Sequence, residues 1–411
     1  MKINEKILIN IFLISIFLFK IPSFYILPFF KSSFLTSQAL ARIFITSLFF
    51  YHLLFKNKKI ADLIKKRKYL IFLLFLFFFI QSLSIIPALN TVSFLARYKD
   101  VVVSFLAFFV FYFYKDHLKK IINVFIFSLL INFPYQFLLT FFSNFSIKWL
   151  KVFIYQKHFD LVLAKLEQGK VYLDTYDEIV IPFLFANLST QNFIILILDI
   201  FFGLVSGIRS RVLMMFGAIF LWLLIFTRKI NNIKIFLLVF VFLVLAYFVN
   251  NIMISRYGFS YLTRFLLEKE IADIKPINFR KTQLENALLL AKGNFLGVGL
   301  GNYFDKIDSL EKNKYLLITK SQKITQFGAQ EYVHNIFGLI LSETGFVGLF
   351  IFLLIILRFI KQDFQLFKKN DNKEKKALGV AFWCLFLYGF FNPIVPASYQ
   401  VLFWGIRGLL L

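Results

Sequence analysis

The stretch Lys56–Pro87, KNKKIADLIKKRKYLIFLLFLFFFIQSLSIIP, decides the fold class. Its first part, 56–68, holds seven basic residues and then runs straight into the apolar segment 69–87. An apolar run of about 20 residues is what a helix needs to cross the hydrocarbon core of a bilayer. Cations crowded against one end of such a run are the sign of a cytoplasmic flank. The segment therefore reads as a membrane helix with its start in the cytoplasm.

The rest of the chain repeats that pattern. Of 411 residues, 59% are hydrophobic and 61 are Phe, with a mean hydropathy of +0.75. A soluble domain has no use for that much apolar surface. The runs are continuous rather than alternating, which excludes a membrane barrel. The net charge of +25 does not indicate nucleic acid, because the cations sit between apolar runs. Stretch 358–376 carries seven of them, and 115–120 and 228–234 carry three each. All four basic stretches are expected on the cytoplasmic side. The single Cys384 lies in an apolar run, so neither a disulfide framework nor a Cys metal site is expected. The first apolar run has no small-residue cleavage site and reads as a retained first helix.

The expected fold is all-α, a polytopic integral membrane protein of about twelve spans with both termini in the cytoplasm. The spans fall near 5–20, 39–55, 69–87, 98–114, 119–142, 178–189, 192–207, 211–228, 234–250, 335–360, 377–392 and 398–411. Span 178–189 is the shortest and carries the weakest pattern. Residues 143–177 include IKWLKVFIYQ, whose mixture of aromatic and basic residues suits a helix lying in the interface. Residues 252–333 form one long outer loop with twelve basic and eight acidic residues. An amphipathic helix is expected at 280–292, followed by the turn FLGVGLGNYF. No internal repeat or linker divides the chain, so 1–411 reads as a single integral membrane domain with 252–333 as a periplasmic loop inside it.

Titratable chemistry meets the membrane at a few positions. His334, in QEYVHNI, stands where the loop re-enters the membrane, with Tyr332 and Asn335 beside it. It is either a hydrogen-bonded structural residue or a base, since its ordinary pKa near 6.5 lets it accept a proton at neutral pH. Arg209 and Arg211 lie on the outer side, where the charge rule disfavours them. Arginine there either binds phosphate oxygens in a bidentate fork or reaches lipid headgroups. Arg280 is expected to open the loop helix, where free N–H groups favour anions; the alternative is solvated surface. Arg97 and Lys99 stand at the outer start of the fourth span. Asp199 lies in mid-span and calls for a basic partner or a polar cavity. Asp174, Asp177 and Glu178 have loose metal-like spacing, and a solvated acidic helix start is the preferred reading. The glycines of Gly297-Val298-Gly299-Leu300-Gly301 lack the Lys-Ser/Thr ending of a P-loop. They read as a tight turn, with phosphate contact by the Gly299 and Gly301 amides as the lesser alternative.

Three motifs in order resemble the O-antigen ligase and polymerase family of membrane glycosyltransferases. They are Ser210-Arg211 in SGIRSRVLMMF, Arg280 followed by GVGLGNYF, and VHNIFGLILSETGFVGLF, which holds His334, Glu343, Gly345 and Gly348. The resemblance covers roughly 205–350; the first half of the chain matches only in hydropathy. It implies a donor glycan on undecaprenyl diphosphate, an acceptor that is lipid A-core or a second lipid-linked glycan, and contact with membrane lipids but not nucleic acid. It also implies inverting transfer without metal or cofactor at the periplasmic face of the bacterial inner membrane. His334, Arg280 and Arg211 would be catalytic; Arg209, Arg97, Asn335, Tyr332, Gly299 and Gly301 would contact substrate. The preferred expectation is a ligase, with a polymerase of the same family next and a lipid-glycan transporter after that. His334, Arg211 and Arg280 are expected to converge on one outer cavity.

Overall fold

A computed structural model describes residues 4–26, 36–156, 159–160, 162–163, 176–205, 209–226, 244, 247, 251, 274–309, 333–369, 372–392 and 396–411. They form α1 (Glu5–Lys20), α2 (Ser37–Phe55), α3 (Asn57–Lys66), α4 (Lys68–Leu83), α5 (Thr91–Phe113), α6 (Leu118–Phe141) and α7 (Ser143–Phe153). A 3₁₀ turn at Asp177–Val180 leads into α8 (Ile181–Ala186), α9 (Thr190–Val205) and α10 (Arg209–Phe226). The C-terminal half adds α11 (Ile274–Gly293), α12 (Tyr303–Ser309), α13 (Ile336–Lys369), α14 (Lys373–Gly389) and α15 (Ala397–Leu410). β-Bridge pairing among the described residues is confined to two isolated antiparallel bridges, Phe24 with Ile154 and Tyr25 with Thr36.

Among the described residues, three helices are long and apolar enough to cross a membrane: Ser37–Phe55, Lys115–Phe141 and Ile336–Lys368. Lys68–Leu83, Thr190–Leu204 and Arg211–Ile225 are apolar but shorter. The expected span at 178–189 is instead the 3₁₀ turn plus the six-residue α8. Six residues rise only about 9 Å, against about 30 Å of hydrocarbon. Span 234–250 lies outside the described residues except for Val244 and Tyr247. The segment expected to lie in the interface forms a helix, α7, which stops at Phe153.

Two compact units divide the chain. The first takes Met1–Phe44, His117–Asp273 and Asn372–Tyr388; the second takes Ile45–Asp116, Ile274–Asp371 and Gly389–Leu411.

In the first unit α6 packs along α1 and α9, with α8, α10 and the 3₁₀ turn completing the group. Pro134 lies inside α6 and removes one ladder donor there. Its neighbours Asn132 and Gln136, one turn apart, are buried and face the 3₁₀ turn.

In the second unit α5 packs on α15 and α13 packs on both α4 and α11. A buried ion pair ties α13 to α15. The Arg407 guanidinium forks onto Asp363, with Nη1 2.7 Å from Oδ1 and Nη2 on Oδ2, and lies 4.3 Å above the Phe359 ring. Helix α13 is broken once, at Gly345, whose φ of 67° and ψ of −169° are open to glycine alone. Carbonyls just before the break lose their helical donors. The turn after α11 replaces them: Val298 N–H donates to Ser342 O (2.8 Å) and Gly299 N–H to Glu343 O (3.1 Å). The approach is close, since a Cβ on Gly297 would stand 2.5 Å from the Glu343 carbonyl carbon and one on Gly345 would strike the Phe295 carbonyl.

Two outcomes are expected for stability. Gly345→Ala and Gly297→Ala should each lower the thermal midpoint in detergent, by the roughly 1–3 kcal/mol of a forced backbone conformation plus the overlap. Gly293→Ala, where an added Cβ meets nothing within 4 Å, should leave it nearly unchanged. Equal midpoints for all three would refute the seat described for the turn. Removing one partner of the buried pair, by Asp363→Ala or Arg407→Ala, should cost about 3–5 kcal/mol, and the double variant less than the sum of the two. Additive losses would mean that the two side chains do not act as a pair.

Candidate functional site

His334 lies in the second unit, half-buried, two residues before the start of α13. Asn335 caps that helix: its Oδ1 accepts from Phe337 N–H (2.9 Å) and Gly338 N–H (3.0 Å). Its Nδ2 donates to the Phe390 carbonyl at 3.1 Å. Both ends of the amide are thus engaged, and Asn335 positions His334 rather than standing open to a substrate.

The sequence reading passed over Gln283, which is buried on α11. Its Oε1 accepts from the backbone N–H of His334 at 3.1 Å and lies 3.2 Å from the ring Nδ1. The backbone donor fixes which end of the glutamine amide is oxygen. An oxygen can only accept, so Nδ1 carries the proton and Nε2 of the neutral ring keeps its lone pair. Tyr303 packs against the same helix, donating from its hydroxyl to the Gln283 carbonyl at 3.3 Å. Burial pushes the Tyr303 phenol up, so it remains a neutral donor. A glutamine on the helix face that also carries Ala287 and Leu290 was the sequence signal available for this contact.

Arg280 is exposed on α11, three residues before Gln283. Residues three apart on a helix are surface neighbours, with Cβ atoms about 5–6 Å apart. Arg280 thus stands one turn from the residue that holds His334. It does not open the helix as expected. The helix starts at Ile274, because Pro276 is tolerated in the first turn, where its missing N–H is not needed. Arg280 gains nothing from the free N–H groups at that end. Tyr332 lies outside the described residues.

The glycine turn is structural. Gly299 N–H is bound to Glu343 O, and Gly301 N–H donates to Glu343 Oε1 at 2.9 Å. With those amides committed internally, the phosphate contact once open to Gly299 and Gly301 is withdrawn. Asn302 pins the same turn to the start of α5, exchanging hydrogen bonds with the Asn90 backbone at 2.6 Å and 3.1 Å. Arg97 is buried with its Nε 3.8 Å from Glu343 Oε1. The pair lines a small cavity with Gln81, Thr344, Tyr399 and Gln400. Lys99 is exposed, two residues away.

Arg211 belongs to the first unit, as do Arg209 and Asp199. Asp177 and Glu178 do not form a solvated helix start: both are buried, and the structure gathers cations and amides around them. Arg211 Nε donates to Glu178 Oε1, and its Nη2 lies 3.8 Å from Asp177 Oδ2. Asp177 also accepts from Asn132 Nδ2 (2.8 Å) and Gln136 Nε2 (3.0 Å), and faces Lys20 Nζ at 3.5 Å. Lys20 Nζ donates to the Tyr176 carbonyl at 3.0 Å. Among the described residues, Arg211 Nη1 and Nη2, Glu178 Oε2 and both Asp199 oxygens have no hydrogen-bond partner. Asp199 is within electrostatic range of Glu178, Asp177, Arg211 and Lys20, which supplies the basic company its mid-span position requires. Lys20 escaped the sequence reading, although a lysine at the expected outer end of the first span breaks the same charge rule that drew attention to the arginines.

The three residues expected to be catalytic therefore divide, with Arg211 in the first unit and Arg280 and His334 in the second. Comparison with known proteins bears on the whole set. No curated protein matches the chain. Residues 194–353 match the family model described as O-Antigen ligase, a span that takes in Asp199, Arg211, Arg280, the glycine turn, His334 and Glu343. The match covers 160 of the 411 residues and makes that part of the chain similar to the O-antigen ligase family.

Proposed function

We propose that the protein is an O-antigen ligase of the bacterial inner membrane, with about twelve spans and its 252–333 loop on the periplasmic face. In this reading 1–411 act as one membrane domain, and the enzyme moves a glycan from undecaprenyl diphosphate to lipid A-core. The observation that carries it is the Gln283–His334 contact, which in this reading makes Nε2 the proton acceptor, with the exposed Arg280 one helical turn from Gln283.

The chemistry follows from those residue types. The acceptor hydroxyl attacks the anomeric carbon from the face opposite the diphosphate and gives its proton to His334 Nε2. The bond from the anomeric carbon to the diphosphate oxygen breaks, and the electron pair leaves with that oxygen. Attack in one step inverts the anomeric centre and forms no covalent enzyme intermediate. Charge building on the diphosphate is met by fixed cations, a task assigned to Arg280 and Arg211. Arg211 is anchored through Nε to Glu178, and its two terminal nitrogens keep their hydrogens for phosphate oxygens. Arg209 is assigned to the same donor. Arg97, paired with Glu343, supports the turn rather than the substrate.

Purified protein in liposomes, given a lipid-diphosphate glycan and an acceptor, tests the assignment. His334→Ala should slow transfer by about 10²–10⁴-fold, the usual worth of a general base. Gln283→Leu should cost on the order of 10²-fold through misplacement of the ring. Gln283→Glu should restore most of it, because a carboxylate accepts from the same two donors. Full activity in His334→Ala, or glycan translocation without transfer, refutes the reading. Arg211→Ala and Arg280→Ala should each slow transfer, and full activity in either variant removes that arginine from the reading. In cells, a deletion strain showing core plus undelivered polymer identifies a ligase, and core bearing one repeat unit identifies a polymerase.

A further inference from the structure

Seven cations of the second unit gather at one end of α4 from three separate stretches of chain. Lys65, Lys66, Arg67 and Lys68 are consecutive and exposed at the junction of α3 and α4. Lys115, just after α5, lies within electrostatic range of Lys66 and Arg67 and holds its Nζ 4.1 Å over the Tyr112 ring. Arg358 of α13 stacks on Tyr69, next to Lys68, with its guanidinium carbon 4.5 Å from the ring centre. Lys361 is exposed one turn further along the same helix.

Like charges drawn from distant segments repel one another, so the fold works against itself here unless an anion joins them. Among the described residues, the acids shown beside them are Asp62, 3.6 Å from Lys66 Nζ, and Asp116. Two carboxylates do not balance seven cations. A topology signal needs cations only near the end of a span; it does not need three loops to meet. Apolar side chains border the patch. Phe55 closes α2, Phe72 faces out from the first turn of α4, and Leu357 precedes Arg358; these are 57%, 59% and 60% exposed. Helix α3 fits the same boundary: Leu63 is fully buried while Lys58, Lys59, Lys65 and Lys66 face outward. Cations above and exposed aromatic and aliphatic side chains below match a molecule with an anionic head and an apolar tail.

We propose that this junction of α3, α4, α5 and α13 is a binding site for an anionic phospholipid, whose phosphate sits among Lys66, Arg67, Lys115 and Arg358 while its acyl chains lie along Phe72 and Leu357. The site is independent of the glycosyltransferase reading and needs only that the helices lie in a membrane.

Spin-labelled phosphatidylglycerol tests it, through the fraction of label immobilised on the full-length protein in phosphatidylethanolamine vesicles. The wild type should hold labelled phosphatidylglycerol in preference to labelled phosphatidylethanolamine, and added salt should weaken that preference. Lys66→Gln with Lys115→Gln should reduce it on the order of 5-fold for each charge removed. Lys373→Gln with Lys375→Gln removes as many charges from exposed positions of the other unit and should leave it unchanged. Equal losses in the two double variants would mean a general attraction to basic loops and would overturn the site. A wild-type preference that salt does not alter overturns it too, whether or not the variants insert. Displacement of the label by inorganic phosphate at matched ionic strength would show that the apolar wall contributes nothing, and would likewise refute a lipid site.

Discussion

A break in a membrane helix exposes carbonyls that have no water to turn to, and the second unit is organised around one such break. At Gly345 the ladder of α13 stops, and the carbonyls of Ser342 and Glu343 take new donors from the backbone of Val298 and Gly299. In hydrocarbon each unsatisfied group costs several kcal/mol, so the glycine turn is required for the break to exist at all. Glycines on both sides allow the approach, and two main-chain hydrogen bonds seat the turn on the helix. Glu343 extends the junction with its side chain, which accepts from Gly301 N–H and faces Arg97 from α5. One break thereby ties α13, α5 and the chain after α11 together. That junction fixes the end of α11, and α11 carries Gln283 and Arg280.

The same rule, that polar atoms in an apolar interior must find partners, separates the two groups of buried charge. Asp363 and Arg407 satisfy each other edge to edge, with both terminal guanidinium nitrogens engaged and an aromatic ring covering the guanidinium. The group around Arg211 differs. Three carboxyls meet two cations, Asp177 takes most of the amide donors, and Arg211 Nη1 and Nη2 are left over together with both oxygens of Asp199. A purely structural cluster of this size normally closes its hydrogen bonds. Surplus donors and acceptors in one buried place suit a polar ligand or ordered water, and this distinguishes Arg211 from Arg407 although both are buried arginines with acidic partners.

Much of the helical layout was legible because long apolar runs leave few choices. The segment read at 5–20 is α1 with the same bounds, and 69–87 begins within one residue of α4. The failures have physical causes. Residues 178–189 are apolar enough for a span, yet their N-terminal acids are needed by partners far along the chain, and the segment coils into a short buried helix beside them. Asp177 looked solvated because Lys20 and Asn132 lie 157 and 45 positions away. Helix α11 began earlier than its amphipathic pattern, since a proline in a first turn resembles a loop signal. The pairing of the glycine turn with Ser342 and Glu343 was invisible because it uses main-chain atoms, which every sequence supplies equally.

The gap between residue type and role is clearest at His334. Sequence placed a histidine at a boundary and left two readings open, a structural contact or a proton acceptor. The contact exists, and it creates the acceptor: a glutamine oxygen held in orientation by a backbone N–H selects the tautomer whose Nε2 is free of its proton. Had the partner been an N–H donor to Nδ1, the same histidine at the same boundary would carry its proton on Nε2 and could only give it away. Gln283 therefore decides the chemistry of His334 without touching a substrate, and Asn335 decides where the ring stands by capping the helix behind it. A lone titratable residue becomes interpretable only through what binds the nitrogen that does not react.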